Sequence, residues 1–170
     1  MDIEFGKDLQ EYQRHLQSTK LQATYNRLMA FVANLRNHFD EKYSNDYTVG
    51  DLYEGRLDTT YFPIAPDVLK NDKLKFNIVF DHANMRFEIW LVGLNRDVQR
   101  DVWARLKQEN WNKYPLTATP DQAIIQNVMF EQGEFAEKEI FTKMIDDKAM
   151  AFINDILKDP ELNTPSVVFD

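Results

Sequence analysis

Residues 74–91, LKFNIVFDHANMRFEIWL, restrict what this chain can fold into more than any other stretch. Leu74, Phe76, Ile78 and Phe80 alternate with Lys75, Asn77, Val79 and Asp81; Met85, Phe87, Ile89 and Leu91 alternate with Arg86, Glu88 and Trp90. Strand side chains point to opposite faces with a period of two, so each arm has an apolar face and a mixed one. Asp81-His82-Ala83-Asn84 lies between the arms and suits a tight turn. The apolar positions are even-numbered in the first arm and odd-numbered in the second. Only an even-length loop therefore brings both sets to one side. A two- or four-residue turn within 81–84 pairs Phe80 with Met85, Ile78 with Phe87, Phe76 with Ile89, and Leu74 with Leu91. A one-residue slip would turn one apolar set to the other face, so the pattern is strongly fixed. The same register sets Val79 against Arg86, Asn77 against Glu88, and Lys75 against Trp90. The last pair suits a cation–π contact worth roughly 0.5–1 kcal/mol.

Helical spacing flanks this hairpin. Phe5, Leu9, Tyr12 and Leu16 give one apolar stripe on a short polar helix over 5–17. Ser18 or Thr19 is a candidate cap for the next helix. Over 20–43, Leu21, Tyr25, Leu28, Val32, Leu35 and Phe39 alternate steps of four and three, the strongest helical signal in the chain. Residues 44–56 read as a loop or irregular strand. Residues 57–63 read as a strand that Pro63 ends or places at an edge. A helical turn is expected near Pro66-Asp67-Val68-Leu69. After the hairpin, Asn95 is a plausible N-cap for a helix over 96–109 with Val98, Val102, Trp103 and Leu106 inward. Thr119-Pro120-Asp121-Gln122 has the form of a capping box, yet 123–130 is patterned as a strand, and the strand is favoured. A last helix over 135–158 ends before Pro160. The order α-α-β-β-β-α-β-α describes an α+β fold, a small mainly antiparallel sheet flanked by helices. Residues 1–160 are expected to form a single domain and 161–170 a C-terminal tail, in which Val167-Val168-Phe169 is a candidate docking segment.

Composition narrows the functional classes. The net charge of −8 argues against a nucleic-acid binder, which needs clustered Lys and Arg on phosphates. The absence of cysteine excludes disulfide and thiolate chemistry and fits a cytoplasmic location. No apolar run approaches the ~20 residues of a membrane helix, and MDIEFGKDLQEY lacks a signal peptide's apolar segment, so no membrane partner is expected. With only five glycines and no GxGxxG, Walker, HExxH or EF-hand pattern, nothing calls for a cofactor, and no metal ligand or catalytic residue is assigned.

Three clusters are candidates for chemistry. Tyr53, Glu54, Asp58 and Tyr61 lie in a stretch dense in acids, hydroxyls and aromatics. If that strand joins the hairpin, Asp58 shares a sheet face with Arg86, Glu88 and Trp90. Two carboxylates near a cation suit a polar ligand, a divalent metal or acid–base work. An edge-strand ion-pair network gives the same pattern without a ligand, and is the commoner origin of it. Asp81 beside His82 reads better as a solvated turn than as a catalytic pair, because His15, His38 and His82 have no metal spacing and no nucleophile elbow is present. Trp111-Asn112-Lys113-Tyr114 suits a binding surface or a plug over a core edge equally.

Through YEGRLDTTYF, FNIVFDHANMRFEIWLVGLNRDVQRDVW and WNKY, the chain resembles a family of small bacterial cytosolic proteins of unknown function. That resemblance implies no activity, cofactor or catalytic residue. The succession of strand, hairpin, helix, strand and helix is also similar to the core of restriction-endonuclease-like folds. That resemblance implies metal-dependent hydrolysis by an acid on one strand and Glu-x-Lys on the next. Asp81 and Glu88 stand for the acids, but Glu88-Ile89-Trp90 lacks the lysine. Fold analogy alone gives no function. The leading expectation is a non-catalytic module that binds a small polar ligand or a protein through Tyr53, Glu54, Asp58, Tyr61, Arg86, Glu88, Trp90 and Trp111. The alternative is a small metal-dependent hydrolase or degenerate nuclease-like enzyme using Glu54, Asp58, Asp81 and Glu88. A homo-oligomer joined through the long helices or a strand edge is a third expectation.

Overall fold

The hairpin's even loop is present, one residue later than the sequence pattern placed it. The structure is a computed structural model describing residues 3–162. Its elements are α1 (Ile3–Ser18), α2 (Leu21–Tyr43), β1 (Tyr47–Val49), β2 (Thr59–Pro66), β3 (Leu74–Asp81), β4 (Arg86–Gly93), α3 (Arg96–Gln108), β5 (Ile125–Phe130) and α4 (Lys138–Leu157). The α+β order holds, with the three-residue β1 added inside the segment read as a loop or irregular strand. Asp81 pairs with Arg86, Phe80 with Phe87, Ile78 with Ile89, Phe76 with Leu91, and Leu74 with Gly93. The reason lies in the Asp81 carboxylate. It accepts from the backbone N–H groups of Ala83 and Asn84 at 3.0 and 3.2 Å and from Asn84 Nδ2 at 2.6 Å. That Asx-type turn makes Asp81 the last strand residue. The four-residue loop becomes 82–85, with Met85 exposed at φ 50° rather than facing the core. A loop over 82–85 is also even in length, so the apolar faces still coincide.

The strands form one antiparallel sheet in the order β1-β2-β3-β4-β5. Pro63 neither ends β2 nor breaks its ladder to β3. Its carbonyl accepts from Gly50 N at 2.9 Å on the β1 side. The N and C=O of one strand residue point the same way, so its missing N–H also faces away from β3. The apolar face carries Phe62, Ile64, Phe76, Ile78, Phe80, Phe87, Ile89 and Leu91. Against it pack Val32, Leu35 and Phe39 of α2 and Phe141, Ile145, Ala149, Phe152, Ile153 and Ile156 of α4. Val32, Leu35 and Phe39 belong to the stripe that the alternating steps of four and three pick out over 20–43. Asn95 caps α3 by accepting from Val98 N at 3.0 Å. The strand reading of the segment after Pro120 prevails over the capping box. The tail residues Val167, Val168 and Phe169 lie outside the described residues. Among the described residues, no helix is long and apolar enough to cross a membrane.

Candidate functional site

The second face of the sheet, away from α2 and α4, holds the polar chemistry. Cross-strand pairing sets Thr59, Asp81 and Arg86 in one row, Tyr61, Val79, Glu88 and Val128 in the next, and Pro63, Asn77, Trp90 and Gln126 in a third. Val79, Trp90, Val92 and Ala123, with Tyr61 packed against them, form a small apolar cluster separate from the main core. An otherwise polar face thus has a dry floor.

Glu88 sits in that floor with only 2% of its surface exposed. A buried carboxylate is tolerated only when its charge and lone pairs are satisfied. Arg86 Nε donates to one oxygen at 2.5 Å and Trp90 Nε1 to the other at 2.5 Å. Arg86, Glu88 and Trp90 are i, i+2 and i+4 on β4, so the strand itself places the three side chains side by side. Asp81 and Glu131 stand 3.8 and 4.0 Å from the same guanidinium. Lys75 pairs with Val92 instead of Trp90, and the cation–π contact anticipated from the sequence gives way to the indole's bond with Glu88.

Asn77 is the residue that the sequence did not single out. It is 9% exposed, and its Oδ1 is buried without a hydrogen-bond partner. Its neighbours across the ladder explain this in part: Pro63 has no N–H, and the Trp90 indole N–H is committed to Glu88. A buried, unpaired acceptor costs about 1–3 kcal/mol and calls for a physical explanation. The available signal was an asparagine in the middle of a strand, where its β propensity is poor.

The other anticipated residues divide. Tyr53 joins the face: it forms an isolated bridge with Tyr61, and the two rings lie 4.9 Å apart. Glu54 lends its backbone carbonyl to Thr60 Oγ1 at 2.7 Å, and its side chain is exposed. Asp58 shapes its own loop by accepting from Arg56 N at 2.8 Å. The backbone N–H groups of Arg56 and Thr59 hold its carboxyl below the usual range. Trp111 belongs elsewhere. It packs into the main core, donates to Asp159 Oδ2 at 3.0 Å, and stands beside Tyr114. It is a plug over the core, not part of the hairpin face.

His82 is buried, contrary to the solvated turn expected of it. Its Nε2 lies 2.8 Å from Thr60 Oγ1, and its ring is edge-on to Phe80 with centroids 5.0 Å apart. Among the described residues, no three His, Cys, Asp or Glu side chains are grouped to hold a metal ion.

What these features define is an α+β protein whose sheet carries a mixed polar and aromatic surface on the face away from α2 and α4. The chain belongs to the family described as Domain of unknown function (DUF7000), which matches residues 5–159. No curated protein and no solved structure matches it.

Proposed function

We propose that the chain is a non-catalytic binding module whose mixed sheet face takes a small polar ligand. The observation that carries this reading is the unpaired Oδ1 of Asn77, buried beside Trp90 on that face. A buried acceptor without a partner in the protein is a place where the N–H or O–H of a bound molecule completes the hydrogen bond. Tyr53 and Tyr61, their rings tilted 39° to one another, offer an aromatic edge for the rest of the ligand. Arg86 and Glu88 neutralise one another across a short bond, which fixes the wall of the site without leaving a reactive group. Placement on paired strands gives the preorganisation that binding sites need.

The test is a ¹H–¹⁵N NMR screen with small amino acids, nucleosides, sugars and polyamines as probes. The expected hits shift the Asn77 side-chain amide and the Trp90 indole N–H and leave the indoles of Trp103 and Trp111 in place. Asn77→Leu, which has no such amide, abolishes the shift of the Trp90 indole. A panel that moves neither signal, or hits that survive Asn77→Leu, would remove the reading.

A further inference from the structure

Helix α1 has an apolar stripe that the chain leaves largely uncovered, with only Leu16 half-buried. None of its residues is buried, and Phe5, Leu9 and Tyr12 are 51%, 44% and 61% exposed. Steps of four, three and four place these three and Leu16 within one narrow sector of the helix. Leu21, at the start of α2, is also exposed. A stripe of this spacing suits the seam of a two-helix pair, and four large side chains within ~17 Å along the helix are more than isolated surface apolar residues.

The charges say what covers it. Glu4, Asp8 and Glu11 lie in the first two-thirds of α1, against Lys7 alone, while Arg14 and His15 lie in the last third. Arg14 and His15 lie 3.4 and 3.6 Å from Glu11 of the same helix, so the asymmetry is a mild one, acidic toward Glu4 and Asp8 and basic toward Arg14 and His15. Parallel pairing would set acid against acid, whereas antiparallel pairing sets each acidic end against a basic one. It also opposes the two helix dipoles favourably. In the antiparallel arrangement Phe5 faces Leu16 and Leu9 faces Tyr12. Asp8 then lies on the flank that approaches His15 of the second copy. On the opposite flank are Gly6, Gln10, Gln13 and Gln17, with no charge to repel, and a Cβ added at Gly6 would meet nothing, so that side has room for close approach. Exposed ion pairs are weak; they choose the orientation, and the stripe supplies the attraction.

We propose that α1 pairs antiparallel with α1 of a second copy of this chain, stripe against stripe about a two-fold axis near residues 10 and 11. A seam of one short helix is small beside the ~1,200–2,000 Å² of a stable interface, so the pair is a concentration-dependent one.

Sedimentation equilibrium of the full chain tests this over about 10–500 µM, the range expected for an interface below that size. The expected weight-average mass rises from 20.1 kDa toward twice that value. L9E/Y12E weakens association at least about tenfold, with an unchanged circular dichroism spectrum because both side chains are exposed. Orientation is read from an L9C/Y12C variant, in a chain with no cysteine of its own. Disulfides joining position 9 of one copy to position 12 of the other support the proposal. Links from 9 to 9 and 12 to 12 overturn it. A constant single-chain mass overturns it too, even if α1 then binds some other protein.

Discussion

Tyr43 on α2 and Asp146 on α4 lie 103 positions apart in sequence and share a 2.5 Å hydrogen bond, phenol donating to carboxylate. Lys42 Nζ and His38 Nε2 meet the other carboxylate oxygen at 2.5 and 2.7 Å. Burial alone would push the Asp146 carboxyl up; the bonds from Lys42, Tyr43 and His38 outweigh it and hold the group below the usual range. Asp146→Ala leaves the phenol without its acceptor in the seam between the two helices, although half-exposed Lys42 can turn to water. The expected loss is about 2–3 kcal/mol in urea unfolding, less than for a fully buried pair. Because the folded pKa is depressed, this contribution is present above the unfolded value of ~3.9 and fades as pH falls through the folded one. Asp146→Asn is therefore less stable at neutral pH, but its deficit narrows below about pH 4.

Burial pushes the His82 imidazole down, while Asp58 and Asp81 pull it the other way without cancelling the effect. Thr60 Oγ1 donates to the Glu54 carbonyl at 2.7 Å, so it accepts from a neutral His82 Nε2–H. A depressed histidine pKa means that the unfolded chain takes up the proton first. The contribution is therefore complete above ~6.5 and lost as pH falls toward the folded value. The urea midpoint should drop between pH 7 and pH 5 more in the wild type than in His82→Gln, which keeps a donor for Thr60. An NMR titration placing the His82 pKa at or above ~6.5 would contradict this account.

The faces of the hairpin were legible because period two survives any even loop. The register was not, because a loop over 81–84 and one over 82–85 give the same faces; the side-chain bonds of Asp81 decide between them. Four of the eight anticipated site residues, Tyr61, Arg86, Glu88 and Trp90, share a face for the same periodic reason. Tyr53 reaches that face through a bridge that no local pattern encodes. Trp111 finds Asp159 across 48 positions, a tertiary choice invisible to spacing. The α1 stripe was plain in sequence, but amphipathicity does not say whether a partner exists within the chain.

Gly93 ends β4 where the chain turns into α3. A Cβ there would lie 2.5 Å from Gln99 N and 2.9 Å from Asn95 O, both backbone atoms that cannot swing aside. The same corner holds the bond from Gly93 N to Gln99 Oε1 at 3.2 Å, and Gln99 Nε2 reaches Pro120 O at 2.9 Å. Gly93→Ala should cost about 2–3 kcal/mol, through displacement of α3 from the sheet. Gly133→Ala, with open space around it, is the control and should change stability by less than about 0.5 kcal/mol. Equal effects of the two substitutions would refute the packing argument.

Asn77 supplies the most informative stability test because the expected sign is unusual. Most substitutions at buried positions destabilise. Here the side chain carries an acceptor with no partner, in a strand where asparagine is a poor former. Asn77→Val removes the orphaned oxygen and restores a β-branched side chain next to Val79 and Trp90. Its smaller volume offsets part of the gain. The net expectation is a stabilisation of about 1 kcal/mol, or roughly 2–4 °C in Tm for a chain of this size. The same substitution should erase the NMR response of the Trp90 indole to any hit from the probe screen. Stability gained as binding is lost is the signature of a residue kept for its ligand. A destabilised Asn77→Val would instead show that the carboxamide is satisfied in the folded protein, for instance by a bound water, and the case for a ligand at this face would lose its support.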